Sequence, residues 1–260
     1  MKKLLLLLLF AGLLNTGSVF GWGREGHETI AKIAERNLTK KAKKRIEKYL
    51  GGHSIVYFAK WMDEYRHTPE YKFTNNWHTV PVNAELRYED SMLATGGNAI
   101  YGLEQAIENL KNYRSLTDSA VEVNLKYIIH LVGDMHCPGH VRWPDNQEIG
   151  YFNVVLKGSE IRYHTIWDTP IVATTHPWSF SDLAFLLDRY TEEQQRAAIA
   201  GDIYDWGRES AANSKCIYDV KPGDKLGHDF ILKYKPLAEE QLAKAGYRLA
   251  KVLNDIFDRQ

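Results

Sequence analysis

Cysteine is scarce: the chain has two in 260 residues, Cys137 and Cys216. That excludes a disulfide-dense scaffold, and the absence of paired CxxC motifs argues against a structural zinc finger. One disulfide between the two cysteines, two buried free thiols, or Cys137 as a metal ligand all fit, because pairing cannot be deduced from spacing. An excess of one charge is also missing: basic and acidic side chains number 33 each. There is no basic coat for nucleic acid, so attraction for an anionic substrate has to come from a local site. Beyond residue 21 no apolar run is long enough to cross a bilayer. No repeat, low-complexity tract or linker divides the chain.

The N-terminus, MKKLLLLLLFAGLLNTGSVFG, places two lysines before a leucine-rich core and offers a cleavage point at Val19-Phe20-Gly21. It predicts a secretory signal peptide over 1–21, too short and poorly flanked for a stable span. The mature domain is then 22–260, secreted or periplasmic, without stable membrane association and expected as a monomer. Its formal balance is 31 basic against 33 acidic side chains.

Helical patterns dominate. GHETIAKIAERNL is amphipathic through Ile30, Ile33, Ala34 and Leu38. Thr39 is placed to cap TKKAKKRIEKYL, which stops at Gly51-Gly52; its basic run reads as a solvated helix face. Helices are expected over 98–113, 119–136, 164–175, 181–190, 192–213 and 236–257, the last starting with a proline suited to a first turn. Residues 151–163 predict a β-hairpin turning at Lys157-Gly158. The expected fold is a single, mostly α, multi-helical domain with a small hairpin.

The richest stretch is HLVGDMHCPGH, His130 to His140. His130 and Asp134 are four apart, so they project from one helix face. His140 follows Pro138-Gly139, where a helix ends. HTIWD repeats the spacing with His164 and Asp168. Earlier come His27, Asp63 in WMDEYR and His78 in WHTVPVN. Imidazoles and carboxylates suit borderline cations such as zinc. Five imidazoles and three carboxylates are enough for two or three ions with open positions, the mark of catalytic zinc. His53, His67, His176 and His228 lack such spacing and read as non-ligands. His136 adjoins the cluster, in a position to support its ligands.

With WGREGH, WMDEYR, WH, HLVGDMHCPGH, HTIWD, WGRES and the closing PLAEEQLAKAGYRLAKVLN in order, the chain resembles the zinc-dependent single-strand-specific nucleases of the P-one/S-one type. Zinc-dependent phospholipase C shares their superfamily. The resemblance implies a helical fold with a trinuclear zinc site. In it, Asp63, His78, His130 and Asp134 hold one ion. The α-amino group and carbonyl of Trp22, with His27 and Asp134, hold a second, Asp134 bridging the pair. His140, His164 and Asp168 hold the third. The implied reaction is metal-assisted hydrolysis of single-stranded DNA or RNA, with 3′-nucleotidase activity as a possible addition, Arg66 clamping the phosphate and Asp134 essential to catalysis.

The substrate shell departs from the family pattern. Thr79 and Pro81 stand where an aromatic and an acid read a base, Glu148-Ile149-Gly150 replaces GGN, and Arg162-Tyr163 replaces Asn-Leu. Thr79 cannot stack, and a stacked base is worth about 1–3 kcal/mol, so weak base preference is expected. The alternatives are a phospholipase C-like hydrolase of phospholipid head groups and a non-catalytic exported zinc-binding protein. The first favours an exposed apolar rim, not evident in the sequence; the second leaves Arg66 without a purpose.

Overall fold

The computed structural model describes residues 22–92, 97–142, 152–173 and 179–258. The expected leader, His176 and Glu148-Ile149-Gly150 lie outside them. Along these residues the chain forms α1 (Arg24–Arg36), α2 (Lys40–Tyr49), α3 (Trp61–Tyr65), α4 (Ala99–Leu110), α5 (Asp118–His136), β1 (Asn153–Leu156), β2 (Ser159–Arg162), α6 (Tyr163–Asp168), α7 (Pro170–Ala173), α8 (Phe180–Leu187), α9 (Glu192–Ala198), α10 (Ile203–Asn213), β3 (Lys225–Leu226) and α11 (His228–Phe257), with short 3-10 turns between several of them. The mostly helical expectation holds.

Helix α5 is the axis. It starts at the Thr117 cap, whose hydroxyl accepts from the Ala120 amide at 3.2 Å. Every residue from Tyr127 to His136 is buried, and α1, α2, α3, α4, α10 and α11 all pack on it. A helix covered on all sides can carry polar groups only if each finds a partner or a ligand, since an unpaired buried polar group costs about 1–3 kcal/mol. Helix α1 lies close against α11: a Cβ on Gly246 would stand 2.5 Å from Ile33 Cγ2. Among the described residues no helix is long and apolar enough to cross a membrane.

The hairpin forms as expected, with Val154 opposite Ile161 and Leu156 opposite Ser159. Lys157 and Gly158 take φ of 51° and 87°, positive values that match a tight turn to the strands' right-handed twist. Unexpectedly, β3 adds to β1 in parallel, giving the order β2-β1-β3.

Several boundaries need correction. The helix expected over 192–213 is two: Gly201 has φ 78°, and Asp202 starts α10 with a capping box. The segment expected as one helix over 164–175 breaks at Thr169, which precedes Pro170 and leaves the helical region. Helix α11 begins at His228 and not at Pro236, which sits inside it. Pro236 cannot donate to the preceding turn. Burial of Phe230, Ile231 and Tyr234, with Phe230 against Tyr163 and Tyr234 against Trp167, holds the extra turns in place. The disulfide is not formed: both cysteines are free, Cys137 buried at the end of α5 and Cys216 in the 214–219 turn.

Candidate metal centre

The centre is built around Asp134. Four imidazoles converge on its two oxygens: His78 Nδ1 at 2.8 Å and His130 Nε2 at 3.1 Å on Oδ2, His27 Nε2 and His140 Nδ1 each at 3.3 Å on Oδ1. Asp63 Oδ1 lies 3.5 Å from His130 Nε2 and 3.6 Å from His78 Nδ1. All these side chains are at least nine-tenths buried.

Local structure explains how each arrives. His130 and Asp134 share one face of α5. His130 Nδ1–H donates to the Ala59 carbonyl at 2.8 Å, which fixes the ring and turns Nε2 to the carboxylates. His27, on α1, stacks on His130 with centroids 4.1 Å apart. Its ring needs Gly133, where a Cβ would stand 2.8 Å from His27 Nδ1. Asp63 comes from α3 and His78 from the 3-10 turn at 72–78. Pro138 opens a 3-10 turn that swings His140 back. A bridge between Val80 and Val141 then pins the two segments together, Val80 N–H donating to the His140 carbonyl at 2.8 Å.

The second pair adjoins this cluster. His164 Nε2 is 3.2 Å from Asp168 Oδ1 on α6, and the His140 and His164 rings stand 4.9 Å apart. Trp22 is fully buried, fitted over Gly26, where a Cβ would meet Trp22 Cβ at 2.7 Å. The Gly23 amide donates to the Asp168 carbonyl at 2.7 Å, tying the start of the domain to α6. Arg66 is buried one turn beyond Asp63. His53, His67 and His228 are exposed.

Burial would lower the His130 pKa, yet Asp134 and Asp63 raise it to about 10. Burial would raise both carboxyls, yet the His130 charge holds them well below the usual range. His27 falls to about 4 through burial and the His130 charge. Burial lowers His78 and His140, although Asp134 opposes it. Burial lifts Asp168 to about 6 against the pull of His164. The carboxylates hold a proton on His130 while burial pushes His27, His78 and His140 down, so imidazole nitrogens stand beside carboxylate oxygens, a place a cation fits.

Hydrogen bonding agrees. His27 Nδ1, His78 Nε2, His140 Nε2 and Asp168 Oδ2 are buried without a hydrogen-bond partner, a costly condition unless a ligand is taken. The donor set, imidazole nitrogens with carboxylate oxygens, suits zinc-like ions. Among the described residues, three triads bring one potential ligand atom per residue within 4.8 Å of one another: His27-Asp63-His130, His78-His130-Asp134 and Cys137-His140-Asp168.

Two features were missed from sequence. Lys60, three before Asp63, makes an ion pair with Asp63 Oδ2; its i, i+3 spacing was a readable signal. His136 does not serve the cluster as expected. Its Nδ1–H donates to the Val132 carbonyl and its Nε2 accepts from Arg248, each at 2.7 Å.

A family model described as S1/P1 Nuclease matches residues 22–258. Nuclease S1 of Aspergillus oryzae is 28% identical over 271 residues, spanning 90% of this chain and 91% of that protein. Nuclease P1 of Penicillium citrinum is 27% identical over 270 residues, 90% and 97%. Endonuclease 4 of Arabidopsis thaliana is 25% identical over 266 residues, 91% and 89%. On a match that spans the whole described domain, with the metal-type cluster at its centre, the chain belongs to the S1/P1 nuclease family, a family of hydrolytic enzymes.

Proposed function

We propose that the protein is an exported zinc nuclease, acting as a monomer on single-stranded DNA or RNA, with the leader over 1–21 removed. The observation that carries the zinc reading is the convergence of His27, His78, His130 and His140 on Asp134, with Asp63 alongside. Three ions per chain are assigned as the family resemblance implies. Asp63, His78, His130 and Asp134 take one. The Trp22 amine and carbonyl, His27 and Asp134 take the second. His140, His164 and Asp168 take the third. Bound zinc would acidify water and stabilise charge on the phosphodiester oxygens.

The chain's own groups do the rest. Asp134 holds four imidazoles in register. The Ala59 carbonyl fixes the His130 tautomer, keeping Nε2 for the metal. Lys60 neutralises the outer oxygen of Asp63. Arg66, kept out of water, would steady the negative charge that develops on phosphorus oxygens. Tyr65, 43% exposed and stacked on Trp61, and Phe73, 58% exposed against Trp77, offer ring faces to unpaired bases. Every base has such a face, so this mode favours single strands without choosing a base.

The test is a mature protein starting at Trp22, reconstituted with zinc. Elemental analysis should find three zinc ions per chain, and single-stranded DNA should be cut well ahead of duplex DNA and of a phosphatidylcholine analogue. A Gly-Ser extension before Trp22 turns its amine into a non-basic peptide nitrogen and should cost one ion. One ion or none in the Trp22 form, or faster turnover of the phospholipid analogue, would sink the proposal.

A further inference from the structure

The third triad contains a donor that the ligand assignment above does not use. Cys137 follows α5 directly and is fully buried. Its Sγ, a ring nitrogen of His140 and a carboxylate oxygen of Asp168 lie within 4.8 Å of one another. His140 Nε2 and Asp168 Oδ2 have no hydrogen-bond partner, and both residues are 1% exposed. Zinc bonds of about 2.0–2.3 Å in a tetrahedron put ligand atoms roughly 3–4 Å apart. The observed spacing is therefore within a small side-chain adjustment of a coordination shell. A cysteine away from such donors is a small apolar residue; Cys216, only half-buried, is such a case, its thiol donating to the Asn213 carbonyl at 3.6 Å.

We propose that Cys137 supplies a thiolate to the metal ion held by His140, His164 and Asp168. The inference rests on the metal-dependent reading above and adds a ligand to it. On binding, the S–H bond breaks, the sulfur electron pair forms the metal–sulfur bond, and the proton passes to solvent; nothing is oxidised or reduced. The thiolate makes this ion softer in its preferences and more firmly held than one bound by nitrogen and oxygen alone.

Cobalt(II) is the probe, because thiolate-to-cobalt charge transfer absorbs in the near ultraviolet and imidazole or carboxylate ligation does not. The mature protein and Cys216→Ser, loaded with cobalt and with metal content measured, should both show the band; Cys137→Ser should lose it. X-ray absorption of the unmutated zinc-loaded protein should show a sulfur shell at about 2.3 Å, which needs no variant to fold. Full cobalt loading without the band, or full zinc loading without the sulfur shell, overturns the thiolate ligand and leaves the metal centre standing. Protein that takes up neither metal overturns both.

Discussion

His130 and His136 sit on the same helix, six residues apart and so about 120° apart around its axis, on different faces, and both are fully buried. On the His130 face, ring nitrogens and carboxylate oxygens crowd together and several have no hydrogen bond. On the His136 face both ring nitrogens are hydrogen-bonded. Arg248 gives one N–H to His136 and another to the Ala198 carbonyl at 2.8 Å, pairs with Glu209, and lies over the Trp206 ring. The histidines titrate in opposite directions. Carboxylates raise His130 to about 10 against the effect of burial, while burial, then the Arg248 charge, lowers His136 to about 3. Unfilled hydrogen bonding marks a place made for a ligand, and complete hydrogen bonding marks structure.

The contrast can be broken experimentally, and Asp134→Asn should do most. A neutral amide cannot bridge cations, so metal content should fall and turnover should drop to the detection limit. Near-normal zinc and rate in this variant would mean that Asp134 is not the hub. Arg66→Ala should keep its metal and lose about 10²-fold in turnover, the scale for removing one fixed donor at a reacting centre; an unchanged rate would remove Arg66 from the mechanism.

On the other face, Arg248→Met should leave metal content unchanged and lower stability by about 2 kcal/mol, because His136 Nε2 loses its donor and Glu209 loses one of its two cations while keeping Lys244 and some contact with water. Denaturant titration measures it, and a loss of zinc would show that the two faces are coupled. The smallest effect is a pH slope. The unfolded chain protonates His136 near 6.5 and the folded chain near 3. Below 6.5 the unfolded state therefore binds more protons. In chelator, stability should fall as pH drops from 6.5 towards 3, by up to ~1.4 kcal/mol per pH unit from this group. Urea midpoints at successive pH values should fall less steeply for His136→Gln; an identical slope would show that His136 is not held neutral.

Much of this was legible in the residue order. Spacing alone placed His130 with Asp134 and His164 with Asp168, and Lys157-Gly158 predicted its own turn. Less legible were features whose cause lies far along the chain. Helix α11 passes through Pro236 because aromatic packing against α6 outweighs one lost hydrogen bond. His136 resembled an outer support of the cluster until Arg248, 112 residues away, occupied its Nε2. The cysteines are 79 positions apart, a separation that says nothing of pairing; in the structure both are free.

By itself the sequence determined the helical character, the candidate donor types and the two i, i+4 pairs, because those follow from local periodicity and side-chain chemistry. Tertiary structure decided that His27, His78 and His140 join His130 at the Asp134 carboxylate with Asp63 beside His78 and His130, that Ala59 orients His130, and that the Cys137 thiol lies beside His140 and Asp168. Those outcomes depend on close packing between distant segments, such as the His27 ring laid over Gly133 and the bridge from Val80 to Val141. No local preference encodes such contacts, and they form only when the whole core closes around α5.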